Sequence, residues 1–418
     1  MKILIINTSD SFGGAARATY RLHRSLLREE INSEMLVQQK LGDDYTVSIY
    51  QKSFFQKLIG KLRPLIDVLP LKVYKRRSAT LFSPSWFGFS NIVDKINSFE
   101  PDIVHLHWIC GGMIRIEDLR RIKAPIVWTL HDNWAFTGGC HIMWDCERFK
   151  QGCGACPRLG SDKVNDLSSA VFKRKEKIFS QLPEMTIVAL SKWMENNIKS
   201  SPLLGKHRVV NIGNPIDTSI FKPMKKMDAR VLWNFPQNKK LLLFGAISAT
   251  SDINKGYSLL LEALNTIEDC EIEFIVFGSS EPKEKVWSGI KTHYLGHLSD
   301  DISLASLYSA VDIMIIPSLQ EAFGQTATES MACGTPVVAF AHTGILDIVE
   351  HKKTGYLAKS YDTQDLAFGI KWILNESNYD QLANEGRKKI VDLYDSSLLS
   401  RKYSELYRSL LTSNVNKE

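Results

Sequence analysis

Short apolar runs recur along this chain, each closed by Gly, Ser, Asn, Asp or Pro and most followed by a stretch with helical spacing. In the first half the runs are Lys2–Ile6, Ser33–Gln38, Ile103–His107, Ile126–Leu130 and Thr186–Leu190. In the second half they are Lys240–Phe244, Ile272–Phe277, Thr292–Leu295, Ile313–Ile316, Pro336–Phe340 and Gly355–Leu357. Such runs read as strands buried in the middle of a sheet. Helical spacing marks Ala15–Glu30, Tyr257–Ile267 and a final run from Tyr379 to near Leu411. Alternating strands and helices predict mostly parallel, doubly wound α/β sheets. Proline and turn residues concentrate between Asn214 and Pro223, which predicts a junction there and domains of 1–215 and 216–418.

Size agrees with two domains, because 418 residues exceed what one hydrophobic core usually serves. A content of 44% hydrophobic and 23% charged residues is ordinary for a globular protein. The net charge of +6 is modest, so its placement matters more than its size. No apolar run approaches the ~20 residues of a membrane-spanning helix. The opening Met1–Asn7 is too short for a signal peptide and reads as a first strand. A cytoplasmic chain with reduced thiols is the expectation.

The segment from Val311 to Ala339 carries the most chemistry. Its buried strand ends at Pro317 and Ser318, so Glu321, Phe323 and Gly324 fall in the turn beyond the carboxyl end. Open α/β sheets bind ligands at such ends. A helix beginning near Gly324 aims backbone N–H groups and a positive dipole end into that turn, with Gln325 at its start. Glycine leaves no Cβ between those amides and a phosphate. Glu329, on the same helix, is placed to accept hydrogen bonds from vicinal hydroxyls. Two carboxylates flanking an anion cradle suit a sugar, a pyrophosphate and a ribose, the parts of a nucleotide sugar.

Glu321 and Glu329 stand in the setting P-S-x-x-E-x-F-G-x-x-x-x-E-x-M-A-x-G-x-P-V-V-A. This closely resembles the signature of retaining GT-B glycosyltransferases of family 4. The stretches from Trp128 to Cys140 and from Gly245 to Thr250 look like the bacterial exopolysaccharide and colanic-acid-type branch, and the motifs in order cover nearly the whole chain. The resemblance implies two Rossmann-like domains facing across a cleft, with the terminal helix crossing back to the first. It implies hexose transfer with retention, from a UDP- or GDP-linked donor to a glycan on a polyprenyl-diphosphate lipid, in bacterial surface polysaccharide synthesis. Glu321 would hold the donor sugar and Glu329 the ribose; His131 would hydrogen-bond the transferred sugar. Lys255 would steady the departing phosphate. Gly13 and Gly14 would lie beside the pyrophosphate, and Leu298, in the Leu295–Leu298 loop, near the base. Gly245, Ala246 and Ile247 stand where many relatives carry a second phosphate-clamping arginine. No divalent cation is implied for catalysis. Nothing in the chain supplies the close carboxylate pair of a two-step retaining glycosidase, so front-face substitution is the working mechanism.

Read by themselves, these loops say less. Gly13 and Gly14 precede a helix but are not a G-x-G-x-x-G fingerprint. Arg17 could touch phosphate or simply be solvated. His131 and Asp132 follow the run Ile126–Leu130, while His105 and His107, two apart, share one face of their strand and read as support residues. The rival readings are a non-catalytic GT-B scaffold that binds sugar or nucleotide, and a nucleotide-sugar epimerase.

Two further features stand apart. Cys140, Cys146, Cys153 and Cys156 crowd one loop as C-x5-C-x6-C-x2-C, whereas Cys110, Cys270 and Cys333 are scattered. Four thiolates with a closing C-x-x-C suit a structural, non-catalytic Zn²⁺; a pair of disulfides or free thiols are the other readings. From Lys52 to Arg77 the chain mixes Phe54, Phe55, Leu58, Ile59 and Leu62 with many Lys and Arg, Asp67 being its one acid. Such a segment can lie on an anionic membrane face, which predicts peripheral association. It lacks a nucleic-acid reading motif.

Overall fold

The computed structural model describes residues 1–49, 54–87, 91–267, 271–281 and 289–415, excepting the side chains of 54–59, 61 and 413–415. The chain divides into two compact units: Met1–Pro215 with Ser397–Glu418, and Ile216–Ser396.

The first unit is built on seven strands: β1 (Lys2–Ser9), β2 (Asn32–Gln39), β3 (Val47–Ile49), β4 (Ile103–Leu106), β5 (Ile126–Leu130), β6 (Thr186–Ala189) and β7 (Arg208–Asn211). They pair in the order β3-β2-β1-β4-β5-β6-β7, all parallel. The central strands are buried along nearly their whole length, which is why they read as apolar runs. Helix Gly14–Arg28 turns Ala16, Ala18, Leu22 and Leu26 inward.

Two strands escaped the sequence reading. Val47–Ile49 has only three residues, and Arg208–Asn211 is exposed at both ends and half-buried between, so neither carries a buried run. Both occupy sheet edges, where pairing rather than burial defines the strand.

The second unit repeats the plan with β8 (Lys240–Gly245), β9 (Ile272–Phe277), β10 (Thr292–Tyr294), β11 (Ile313–Ile316), β12 (Val337–Phe340) and β13 (Gly355–Ala358). Their order is β10-β9-β8-β11-β12-β13, again parallel. One face of the sheet packs Leu242, Phe274, Ile315 and Val338 against helices Tyr257–Leu264 and Thr363–Asn375 through Leu260, Leu264, Leu366 and Ile370. Each sheet has a point where the strand order reverses: between β1 and β4 in one, between β8 and β11 in the other.

The final helical run is two helices, Tyr379–Tyr394 and Ser396–Val415. Asp395 interrupts them with an extended backbone, bridges to Ile216 and accepts a hydrogen bond from Thr218 Oγ1. From Ser397 the last helix belongs to the first unit. Tyr407 Oη lies 2.7 Å from His105 Nδ1, and Tyr403 Oη 3.3 Å from Thr129 Oγ1.

Candidate active site

In the second unit, the loops leaving β8 and β11 are stitched across the reversal point. Lys255 closes a short 3-10 turn, Ile253–Lys255, whose start is capped by Asp252 accepting from the Asn254 N–H at 3.0 Å. Asn254 ties this turn to the other loop twice: its Nδ2 donates to the Gln320 carbonyl at 2.9 Å, and its carbonyl accepts from Leu319 N at 2.8 Å. Gly256 permits the approach. It sits at φ +68, and a Cβ there would come 1.9 Å from the Pro317 carbonyl oxygen. With the loops locked, Lys255 Nζ meets Glu321 Oε1 at 2.8 Å. Burial alone would lower the Lys255 pKa, but the charge and hydrogen bond of Glu321 outweigh it and hold the ammonium above its ordinary value. The Glu321 backbone is braced by its N–H donating to Thr343 Oγ1 and its carbonyl accepting from Gly344 N, both at 2.9 Å.

Gly324 heads helix Gln325–Ala332 with φ 102, at the start of a first turn whose N–H groups lack partners within the helix. Phe323 is buried, its ring edge-on to Tyr394 at 5.3 Å between centroids, so this residue offers a ligand its backbone and not its ring. Glu329 is also buried: Tyr308 Oη donates to its Oε2 at 2.8 Å and Gln325 Nε2 to its Oε1 at 3.4 Å. Leu298 is half-buried in the loop after β10, which is zipped to the β9 end by Gly278 N donating to Gly296 O at 2.6 Å. The end of β8 and the turn after it hold Gly245, Ala246 and Ile247 and no arginine; further along, Thr250 Oγ1 lies 2.6 Å from Ser279 Oγ.

In the first unit, Gly13 stands at φ 102 before helix Gly14–Arg28 with open space over its Cα. The loop holding it is anchored by Asp10, whose carboxylate accepts from Leu41 N and Gly42 N at 2.9 and 2.8 Å. Arg17 is half-buried on that helix. At the carboxyl ends of β4 and β5, three histidines form a stack. His107 Nδ1 lies 2.9 Å from His131 Nε2, and the His105 and His107 rings are 4.2 Å apart. His105 is satisfied at both nitrogens, by Tyr407 and by Thr129 Oγ1 at 2.8 Å. His107 Nε2 is buried without a partner. Sequence spacing had placed His105 and His107 as supports; the bond from His107 to His131 shows what one of them supports. Asp132 fixes the next position, accepting from Trp108 Nε1, His141 Nδ1 and Trp134 N at 2.9, 2.7 and 2.8 Å. His141 and Thr343 were missed because nothing in their local sequence marks them; their position beyond strand ends is the signal that could have found them.

A family model described as Glycosyltransferase Family 4 matches residues 12–220, and one described as Glycosyl transferases group 1 matches residues 229–389. The chain belongs to glycosyltransferase family 4. This glycosyltransferase is 21% identical to the putative colanic acid biosynthesis glycosyl transferase WcaC of Escherichia coli K12, over 98% of this chain and all of that one. It is 30% identical to the glycogen synthase of Mycoplasma mobile, over 90% and 92% of the two chains. Among solved structures, sucrose-phosphate synthase from Thermosynechococcus elongatus matches with a TM-score of 0.70 at 18% identity, covering 99% of this chain and all of that one. Anabaena HepE in complex with UDP and glucose matches with a TM-score of 0.66 at 17% identity, covering 98% and 100%. The two parallel-sheet units are thus those of a GT-B enzyme.

Burial of the histidine stack predicts a loss of stability in acid. Burial drives His131 down to about 4, His105 to about 3, and His107 well below its ordinary value. The unfolded chain takes up these protons near pH 6.5 and the folded chain only much lower. Stability is therefore complete above 6.5 and falls as the pH drops from there towards 4, by about 1.4 kcal/mol per pH unit for each proton taken up. Thermal unfolding compared at pH 7.5 and pH 5 is expected to show a clear drop, smaller in His107→Asn. Equal midpoints at the two pH values would contradict the assignment.

Proposed function

We propose that this glycosyltransferase moves a hexose from a nucleoside-diphosphate sugar, with retention at the anomeric carbon, to a glycan carried on a polyprenyl-diphosphate lipid. The observation that carries the reading is the Lys255–Glu321 pair, held at 2.8 Å where the strand order reverses. The ammonium is matched to the phosphate nearer the sugar, and Glu321 to the sugar's hydroxyls. Phe323 and Gly324 contribute backbone N–H groups at a helix start, and Glu329 and Gln325 the polar contacts for a ribose. Leu298 would border the base, with Gly13 and Gly14 offering a second amide cradle. As the glycosidic bond breaks, negative charge grows on the leaving diphosphate, and Lys255 with the helix amides stabilises that charge more than the ground state. The departing phosphate deprotonates the acceptor hydroxyl on the same face. His131, kept neutral by burial, is a hydrogen-bonding group with no positive charge of its own, as the family resemblance expects of a sugar contact. The UDP held by HepE and the colanic acid role named for WcaC support donor class and pathway class, respectively.

A lipid-borne acceptor calls for a surface that meets a membrane. Among the described residues no helix is long and apolar enough to cross one. Helix Phe54–Asp67 and the turn Leu69–Val73 instead expose Leu62, Leu65, Leu69 and Val73, with Lys72, Lys75, Arg76 and Arg77 exposed beside them. Lys52 and the side chains of Phe54, Phe55, Leu58 and Ile59 lie outside the described residues. Two members of the segment are not at the surface: Arg63 is buried, and Asp67 is buried accepting from Ser85 N at 3.3 Å. Removing Asp67 from the face leaves the described basic cluster without an acid of its own segment, which favours anionic headgroups.

Glu321→Gln is expected to cut turnover about a hundredfold or more while the circular dichroism spectrum stays unchanged. The assay is release of nucleoside diphosphate from a panel of UDP- and GDP-sugars; wild-type turnover by the variant would remove Glu321 from the reaction. Flotation with vesicles containing phosphatidylglycerol is expected to carry the protein at low salt and to lose it as salt rises or after K75E/R76E. Binding indifferent to salt and to those substitutions would refute the membrane surface.

A further inference from the structure

We propose that the loop between Thr137 and Asp166 holds one structural Zn²⁺ on the thiolates of Cys140, Cys146, Cys153 and Cys156. The four sulfur-bearing side chains line a single pocket, and all four are free thiols rather than disulfides. The loop runs from the turn Trp134–Phe136 to helix Leu167–Phe179 with one 3-10 turn, Arg148–Gln151, as its only helical element. Structureless connections beyond about 12–15 residues are uncommon in compact domains, and one that keeps a fixed shape needs a staple.

The backbone is arranged to turn cysteines inward. Residues Gly152, Cys153, Gly154 and Ala155 all take positive φ, two of them non-glycine. Gly154 is required there, since a Cβ would come 2.2 Å from the Val164 carbonyl oxygen. Gly138 N donates to Cys153 Sγ at 3.2 Å, the kind of contact that orients and tunes a thiolate ligand. Among the described residues no three His, Cys, Asp or Glu side chains already meet about a common metal position. Loading therefore turns the thiols about their Cα–Cβ bonds into the cavity they share.

A second, independent observation calls for negative charge in this cavity. Arg158 lines it, with its guanidinium 3.9 Å from the Trp144 ring centre and its Nε and Nη1 buried without a hydrogen-bond partner. Buried donors of a cation are costly to leave unpaired. Four neutral thiols are poor acceptors for them. When Zn²⁺ binds, four protons leave to solvent and the zinc with its four thiolates carries a net charge of −2, which would satisfy that need. Lys175, buried with Nζ donating to the Thr137 carbonyl at 3.1 Å, fastens the root of the loop. The metal's effect on the site would be to hold position: Cys140 precedes His141, whose ring is bonded to Asp132 beside His131.

The test is metal analysis of the full chain purified without added metal or chelator. About one zinc per chain is expected, together with four thiols that react only after the zinc is withdrawn. Replacement by Co²⁺ should give the visible bands of a tetrahedral thiolate site, a readout that needs no activity. Cys153→Ser should lose the metal and Cys333→Ser should keep it; should the first variant fail to fold, the cobalt spectrum of the wild type decides. Zinc near zero with all four thiols reactive, a mass short of four hydrogens from two disulfides, or iron in place of zinc would each overturn the proposal.

Discussion

The structure of the second unit depends on two loops that leave neighbouring strands and are forced together by Gly256, Asn254 and Pro317. Their meeting puts an ammonium and a carboxylate within hydrogen-bond distance at the carboxyl edge of a sheet whose strand order reverses there. Each charge alone would be costly in so sheltered a place, with about a quarter of the Lys255 side chain exposed (24%) and less of Glu321 (19%). Paired, each charge has its partner 2.8 Å away. A nucleotide sugar is a ligand that can use the two charges separately, one on phosphate and one on hydroxyls.

The fold was legible wherever burial was uniform. β1, β5, β9 and β11 are apolar because both faces are covered; the sequence runs match β5, β9 and β11 end to end and stop three residues short on β1. Strands β3 and β7 left no such trace, the first having only three residues and the second no buried one, whereas β10, read as a buried run, is a half-buried edge. The break at Asp395 was also hidden. Helical spacing continues across it, and the cause is a pairing with Ile216 that lies far away in sequence.

The strand-end positions of the candidate residues were legible in the sequence, but their pairing was not. Lys255 and Glu321 could each be placed beyond a strand, yet they are 66 residues apart, and only the adjacency of β8 and β11 makes them partners. Phe323 is the reverse case: its place in the motif pointed to the pocket, but its ring packs on Tyr394 and leaves the backbone to face outward. In the first unit the same logic joins distant pieces. Tyr407, 302 residues from His105, closes one end of the histidine stack, and His141 in the cysteine loop steadies the other through Asp132. Rigidity of that loop is thus coupled to the group next to His131.

The central claim is that Lys255 serves the diphosphate and Glu321 the sugar, and calorimetric titration divides those roles most directly. The ligands are the tightest-binding nucleotide sugar of a UDP and GDP panel and its nucleoside diphosphate. Lys255→Met should weaken both by about tenfold or more, whereas Glu321→Gln should keep the nucleoside diphosphate and lose only the extra affinity conferred by the sugar. Wild-type affinity for both ligands in both variants would contradict the account.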